Sequence, residues 1–324
     1  MSPKRKTTNM RKLLILIIFV FCAGIGRAQE IYRKTFGQPG NTPLIFLHGG
    51  PGGSAIDFEV TTAEKLADRG FFVILYDRRG EGRSDDDKAG FTFEQTFDDL
   101  QEIYRVYGLR SAVILGHSFG GVVGTRFAAR YPEKVSHLVL AGAPVSLQQC
   151  FKTILRTVQK KAEVKGDSAT LAQVDFVRKQ DTASVYYSSG SFMLAMQNGI
   201  YKAENASQDA VKLMEGFMQH PLTKAYMDNQ AKTNYKNMYA SVMGFINHEK
   251  YTTIDLADDL RNRGGIRLYG IYGRQDGLFD DAHIALVRSL VKEPSHFAYL
   301  DNCSHSVYID RQEEFINKLV TWLK

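Results

Sequence analysis

The sequence predicts a doubly wound, mostly parallel α/β sheet with a block of helices inserted near its middle. Up to Pro144, short apolar runs alternate with Gly-rich turns and helical stretches, which is the rhythm of βαβ units. From residue 145 to about residue 257, apolar residues recur at helical spacing instead, and two strand-like runs follow. With 324 residues, 44% of them hydrophobic, the chain can bury a large core.

Four of the predicted strands, Leu44–Leu47, Phe72–Tyr76, Ala112–Leu115 and Leu138–Ala141, are apolar runs without alternation, as expected where helices cover both faces of a parallel sheet. The other predicted strands are a short edge strand at Ile31–Phe36, and Ile266–Tyr272 and Phe297–Leu300. The predicted helices of the sheet region are Thr62–Arg69, Thr92–Tyr107, Phe119–Tyr131 and an amphipathic helix around Arg311–Leu323.

Residues 145–257 are predicted to form a helical cap, which leaves residues 29–144 and 258–324 as the core. Apolar side chains such as Phe151, Ile154, Leu155 and Val158 recur there at helical spacing. An insertion after Leu138–Ala141 departs from the carboxyl end of the sheet, where sites of such folds lie. The cap is therefore expected to roof the site and to decide which substrate enters.

The first 28 residues have the three parts of a secretory signal peptide. A basic start through Lys12 precedes the apolar run Leu13–Ala23, and Gly26 and Ala28 precede a cleavage point before Gln29. The apolar run is shorter than the ~20 residues that span a bilayer. We therefore expect export to the periplasm or the medium, without stable membrane insertion after cleavage.

The net charge of +6 does not indicate nucleic-acid binding. The leader alone carries six Lys and Arg residues and no Asp or Glu, so the rest of the chain is neutral overall. A nucleic-acid partner would need a basic patch, and none remains.

The strongest chemical motif is Gly116-His117-Ser118-Phe119-Gly120, which matches G-x-S-x-G. It follows a predicted strand and opens a predicted helix, a context in which a sharp turn presents the serine Oγ above the sheet. The helix N-terminus also favours developing negative charge. Ser118 is therefore the predicted nucleophile.

A nucleophilic serine needs a base, and the base needs an orienting acid. Asp276 and His305 follow the two successive strands after the insert, in the chain order Ser, acid, His. Asp280 and Asp281 are weaker candidates, because they fall at a predicted helix start. His117 is predicted to point away from the nucleophile.

A Gly-rich loop, His48-Gly49-Gly50-Pro51-Gly52-Gly53, directly follows the first long strand. We predict an oxyanion hole made by the backbone N–H groups of Gly50 and Phe119, each worth about 3 kcal/mol. A phosphate loop is disfavoured, since no Gly-Lys-Ser/Thr follows. The charged loop from Asp77 to Ser84 is expected to brace the oxyanion loop.

The segments HGGPGG, YDRRGEGRSD, GHSFGG, YGRQD and CSHSVYIDRQEEF together resemble the α/β-hydrolase superfamily. HGGPG in particular resembles the proline iminopeptidase branch of serine peptidases (peptidase S33). The resemblance covers Pro43–Pro144 and Ile266–Leu323. It implies the α/β-hydrolase fold, the triad Ser118, Asp276 and His305, and release of N-terminal residues, often Pro, from short peptides.

The chain departs from that branch at two places. The branch usually reads G-G-S-W-G where this chain has His117 and Phe119, and its caps use Trp and Glu to hold the free α-amine. The single Trp here, Trp322, lies outside the cap. The cap carboxylates that could bind an amine are Glu163, Glu204, Glu215 and Glu249.

Two other functions stay open. A small ester or lactone is an alternative substrate, and a non-catalytic binding protein on the same scaffold is an alternative of another class. The expected chemistry is acyl transfer to Ser118 without metal or organic cofactor, on a small molecule or short peptide. The sequence leaves open the oligomeric state and whether Cys150 and Cys303 form a disulfide.

Overall fold

A seven-stranded sheet forms the centre of the protein in a computed structural model that describes residues 31–233 and 235–324. The strands are β1 Arg33–Phe36, β2 Thr42–Leu47, β3 Phe71–Tyr76, β4 Ala112–His117, β5 Val135–Ala141, β6 Arg267–Gly273 and β7 Phe297–Leu300. Their order is β1-β3-β2-β4-β5-β6-β7. β1 runs antiparallel to β3, and every other neighbouring pair is parallel. The predicted fold class is confirmed.

Fourteen α-helical segments accompany these strands in the described residues. Before β6 they are α1 Ile56–Phe58, α2 Glu64–Asp68, α3 Phe93–Val106, α4 Phe119–Arg130, α5 Leu147–Lys165, α6 Ser168–Arg178, α7 Val185–Gln197, α8 Gln208–Gln219, α9 Pro221–Lys232, α10 Lys236–Glu249 and α11 Ala257–Arg261. After β6 they are α12 Asp281–Val291, α13 Val307–Asp310 and α14 Gln312–Leu323.

The central strands are buried on both faces, which explains their unbroken apolar runs. Ile45 of β2 and Ile74 of β3 pack in one apolar cluster, while Leu44 and Val73 pack in a second cluster on the other face. Successive strand residues point to opposite faces, so both sets must be apolar. β5 starts at Val135, earlier than predicted, because the exposed Ser136 and the half-buried His137 interrupt its apolar run.

The helical segment after β2 begins earlier than predicted and is irregular. Residues Glu59–Ala63 form a π-helical turn between α1 and α2. Glu59 is buried there because it accepts hydrogen bonds from Arg83 at 2.7 Å and from the Tyr32 hydroxyl at 2.9 Å. A charged side chain in a buried position does not follow the apolar periodicity, so the sequence pattern placed the helix start too late.

The segment between β5 and β6 carries the helices α5 to α11, in agreement with the helical spacing of its apolar residues. Its two ends are held together by a single antiparallel bridge between Ser146 and Asp255. On either side, Leu147 N–H donates to Ile254 O at 3.0 Å and Leu256 N–H donates to Val145 O at 2.8 Å. The chain thus leaves the sheet and returns to it at one point.

The predicted leader, residues 1–28, lies outside the described residues. Across residues 31–233 and 235–324, no helix is long and apolar enough to cross a bilayer.

Candidate active site

Ser118 occupies a sharp turn between β4 and α4. Its backbone has φ 51° and ψ −122°, a combination that residues other than glycine rarely adopt. Flanking glycines make the turn possible: a Cβ on Gly116 would lie 2.5 Å from Gly120 O, and one on Gly120 would lie 2.0 Å from Leu47 O. The Ser118 side chain is therefore held, half-buried, at the carboxyl end of β4.

Asp276 and His305 form a buried pair beside this turn. Asp276 follows β6, His305 follows β7, and Asp276 Oδ2 accepts a hydrogen bond from His305 Nδ1 at 2.7 Å. The two residues are 3% and 8% exposed. A carboxylate that accepts from Nδ1 leaves Nε2 as the proton acceptor, the tautomer that a general base requires.

Gly142, directly after β5, lies beside Asp276 and His305. A Cβ at this position would lie 3.5 Å from His305 Nδ1 and 3.7 Å from Asp276 Oδ2. The preceding carbonyl, Ala141 O, accepts from Ser118 N–H at 3.1 Å. The structure thus places Ser118, Asp276 and His305 after the carboxyl ends of β4, β6 and β7, at one edge of the sheet.

His117, predicted to point away from the nucleophile, packs against the loop that carries His305. Its Nε2 lies 3.1 Å from the backbone O of His305, and its ring centroid is 4.9 Å from that of His305 and 5.0 Å from that of Tyr308. Burial lowers the pKa of His117 to about 3, so the ring is neutral and donates to this carbonyl. His117 therefore supports the loop that carries His305.

The Gly-rich loop lies against the nucleophile. A Cβ on Gly49 would be 3.4 Å from Ser118 Cβ, and Gly50 has φ +141°. In the described part of the chain, neither Gly50 N–H nor Phe119 N–H donates a hydrogen bond to a protein acceptor. Phe119 is the first residue of α4, whose initial N–H groups have no acceptor within the helix. That these two N–H groups bind an oxyanion stays a prediction.

Arg78 braces this loop, as predicted for the segment from Asp77 to Ser84. Its Nη1 donates to His48 O at 2.7 Å, and its Nη2 donates to Gly49 O at 2.8 Å. The same Nη2 pairs with Glu81 Oε2 at 2.7 Å. Two backbone carbonyls of the oxyanion loop are thereby fixed by one buried guanidinium group.

Aromatic side chains that sequence reasoning did not assign enclose the site. The ring of Tyr201 meets the His305 ring edge-on at 5.2 Å, and Ile200 O accepts from the N–H of Gly277, next to Asp276. Burial raises the pKa of Tyr201 well above its ordinary value. Tyr201 lies between two helices of the insert, where no periodicity predicts which side chains face the sheet.

A second group of rings packs around Phe119. The Phe245 ring of α10 lies 4.9 Å from the Phe119 ring, and the Tyr251 ring lies 5.3 Å from it. Helical spacing indicates only that Phe245 is buried. It does not distinguish a core residue of the insert from a residue that lines an active site, because both positions require apolar side chains.

The four glutamates of the insert do not converge on these residues. Glu163, Glu204 and Glu215 are exposed. The Glu204 carboxylate lies 3.5 Å from Lys161 Nζ. Glu249 accepts from Phe93 N–H at 2.7 Å and so caps the start of α3. Across residues 31–233 and 235–324, none of the four hydrogen bonds to the three predicted catalytic residues.

The two cysteines of the described residues do not form a disulfide bond. Cys150 and Cys303 are both free and buried, and burial raises the pKa of both thiols. Within the described ranges, no group of three or more His, Cys, Asp or Glu side chains is arranged to hold a metal ion.

A family model described as the alpha/beta hydrolase fold matches residues 42–312. The proline iminopeptidase of Saccharolobus solfataricus is 34% identical over 135 residues, which are 40% of this chain and 43% of that protein. The chain therefore matches less than half the length of that relative.

Two solved structures superpose over nearly the whole chain. The proline iminopeptidase-related protein of Thermus thermophilus gives a TM-score of 0.63 at 19% identity, with 92% of this chain and 94% of that chain covered. The esterase of Exiguobacterium antarcticum gives a TM-score of 0.57 at 17% identity, with 90% and 95% covered. At such identities the likeness concerns the fold.

Proposed function

The chain belongs to the alpha/beta hydrolase fold family, and we propose that it is a serine hydrolase that works through a covalent acyl-enzyme. One observation carries the proposal: the buried hydrogen bond between His305 and Asp276, 2.7 Å long, lies beside the strained turn that presents Ser118. This arrangement supports Ser118 as the nucleophile, His305 as the base and Asp276 as the orienting acid.

In the proposed mechanism, Ser118 Oγ attacks the substrate carbonyl while His305 Nε2 takes its proton. Asp276 stabilises the resulting imidazolium ion. The negative charge that develops on the carbonyl oxygen is bound by the N–H groups of Gly50 and Phe119. His305 then protonates the leaving group, and a water molecule, deprotonated by His305, releases the acyl group and regenerates Ser118.

Release of an N-terminal residue, often Pro, from short peptides is the first candidate reaction. It is supported by the HGGPGG loop and by the similarity to the proline iminopeptidase of S. solfataricus. Such an enzyme must bind a free α-amine, and a buried ammonium group without a carboxylate partner is costly. This candidate reaction therefore requires that one of the cap glutamates reach the substrate's α-amine.

Hydrolysis of a small neutral ester or lactone is the second candidate, and the side chains around the site favour it. Rings of Tyr201, Phe245 and Tyr251 surround His305 and Phe119. The cap glutamates are paired or exposed elsewhere, with Glu249 serving as a helix cap. Aromatic walls with few charges suit an uncharged acyl group.

A substrate panel tests both candidates. We would compare prolyl and alanyl p-nitroanilides with p-nitrophenyl esters of increasing acyl length, using the wild type and the variants Glu204→Gln and Glu249→Gln. Glu163→Gln is the matched control, because Glu163 is exposed and accepts a hydrogen bond from Gln159 of its own helix.

The outcomes separate three functions. An aminopeptidase loses affinity for the anilides alone when one cap glutamate is neutralised. An esterase treats all variants alike and prefers the esters. Failure to hydrolyse any member of the panel favours the non-catalytic binding protein. We further propose that the enzyme is exported, on the strength of the signal-like leader in residues 1–28.

A further inference from the structure

One face of the cap helix α10 contacts both sides of the proposed oxyanion hole. Ser241 Oγ donates to Glu81 Oε1 at 2.6 Å, on the loop that braces Gly49. One turn later, Phe245 packs against Phe119, ring to ring at 4.9 Å. Residues four apart lie on the same side of a helix, so α10 presents both side chains together.

The same face also touches the Gly-rich loop directly. A Cβ on Gly52 would lie 2.7 Å from both Cα and Cγ of Met238, which lies one turn before Ser241. The close approach needs a glycine at position 52, where φ is +83°. The helix therefore seats on the oxyanion loop as well as on its brace.

Glu81, which accepts the hydrogen bond from Ser241, also forms a buried ion pair with Arg78. The side chains of Arg78 and Glu81 are 3% and 0% exposed. Arg78 binds the carbonyls of His48 and Gly49 and lies 5.1 Å from the centroid of the Phe119 ring. The pair thus touches the residues on both sides of the predicted hole.

The hydroxyl of Ser241 is the partner that completes the carboxylate of Glu81. Oε2 of Glu81 is bound to Arg78, and Oε1 is bound to Ser241. An acceptor oxygen at this depth is costly when it has no donor, so loss of the hydroxyl forces the carboxylate to move or to be hydrated. Either change is passed to Arg78 and from there to the two loop carbonyls.

We propose that Ser241, Glu81 and Arg78 form a positioning chain through which the cap helix α10 holds the oxyanion loop in its catalytic geometry. The inference rests on the proposed serine-hydrolase function and adds that the cap acts on the chemistry as well as on substrate choice. Oxyanion donors must lie about 2.7–3.1 Å from the oxygen that they stabilise, so a displacement of a few tenths of an ångström lowers kcat.

The variant Ser241→Ala tests the chain, with Ser191→Ala as its matched control. Both serines are 0% exposed and lie on cap helices, but Ser191 Oγ donates only within α7, to Tyr187 O at 2.7 Å. Rates would be measured with p-nitrophenyl butyrate and with prolyl p-nitroanilide. Binding of a trifluoromethyl ketone, which forms a tetrahedral adduct with serine, would be measured in parallel.

For Ser241→Ala we expect kcat to fall by about 10- to 100-fold, part of the 100- to 1,000-fold loss typical of removing one oxyanion donor. KM should stay within about twofold, because the planar ground state uses the hole weakly. Affinity for the ketone should fall by the same factor as kcat. Ser191→Ala should leave all three quantities near the wild-type values.

Ser241→Cys keeps a donor at this position, although a weaker one, and it decides the matter if Ser241→Ala does not fold. An intermediate loss of kcat and ketone affinity supports the chain. Values equal to those of Ser191→Ala in the folded Ser241 variants overturn it. Ser118→Ala distinguishes this failure from that of the proposed function, since full activity of Ser118→Ala contradicts the serine mechanism itself.

Discussion

At the scale of single residues, Ser118 has a strained backbone conformation and a side chain that is only half-buried. A conformation with φ 51° costs on the order of 1–3 kcal/mol and persists only where the surroundings enforce it. Here the enforcement comes from Gly116 and Gly120, which let the turn press against neighbouring backbone. The strain keeps Oγ clear of the sheet and near the start of α4, where a negative charge is favoured.

Asp276 and Asp280 provide a residue-scale test of the orienting acid. Asp276→Asn should lower kcat by about 10³- to 10⁴-fold, because an amide no longer holds the required tautomer of His305. Asp280→Asn should be nearly silent in kcat. Asp280 caps α12 by accepting from His283 N–H at 2.9 Å, a role that Asn fills equally well.

Steady-state kinetics of the two variants, with thermal unfolding to confirm that both fold, is the measurement. Asp280 also pairs with the exposed Arg156, so a small stability loss in Asp280→Asn is expected. A large loss of kcat in Asp280→Asn, with little change in Asp276→Asn, would show that the orienting acid is Asp280 and would contradict the assignment of Asp276.

Sequence reasoning located the residues that local backbone requirements single out. Ser118, Gly50 and the loop from Asp77 to Ser84 each follow a predicted strand. In the structure the Gly-rich loop lies against Ser118, and Arg78 lies against that loop. Tyr201 and the orientation of His117 could not be predicted, because both depend on how segments distant in the chain pack. The contact of Ser241 could not be predicted either, because the sequence does not show which partner a serine within a helix will meet.

At the scale of elements, the insert packs on the core through buried polar side chains as well as through rings. Cys150 of α5 lies 4.0 Å from His283 Nδ1 of α12, and the ring of Phe279 stacks on His283 at 4.5 Å. His283 is fully buried, and burial lowers its pKa to about 4. The contact between these two helices therefore requires a neutral imidazole.

This burial predicts an acid-sensitive contribution of His283 to stability. The folded-state pKa lies below the unfolded value of about 6.5, so the unfolded chain takes up the proton first as the pH falls. The contribution is complete above pH 6.5, decreases as the pH falls towards 4, and amounts to a loss on the order of 3 kcal/mol.

Urea unfolding between pH 7 and pH 4.5 measures this contribution. In His283→Gln the decrease in unfolding free energy over that range should be smaller than in the wild type. His248→Gln, in which an exposed histidine is replaced, controls for the loss of a histidine as such. Parallel pH profiles for the wild type and His283→Gln would contradict the assignment.

Element boundaries were predictable where local signals are strong. Thr92 accepts from Gln95 N–H at 3.2 Å and starts α3 at the predicted place. The π-helical turn Glu59–Ala63 was missed, because its buried Glu59 is stabilised by Arg83, a partner from another loop. Local sequence does not contain that information.

At the scale of the whole molecule, the strand order explains how distant residues form one site. β4, β5, β6 and β7 are consecutive neighbours in the sheet, so the loops after them meet at one edge. Ser118, Gly142, Asp276 and His305 follow these four strands in turn. The sequence predicted the parallel sheet and this edge, whereas the seating of α10 on the oxyanion loop required coordinates.

The central claim is that Ser118 is the nucleophile, and covalent labelling tests it most directly. A fluorophosphonate should add once to the wild-type protein, and peptide mass spectrometry should find the adduct on Ser118. Ser118→Ala should take up no label and lose nearly all hydrolysis of the substrates that the wild type cleaves. Label on another residue, or a Ser118→Ala variant that keeps more than about a tenth of the wild-type kcat, would contradict the account.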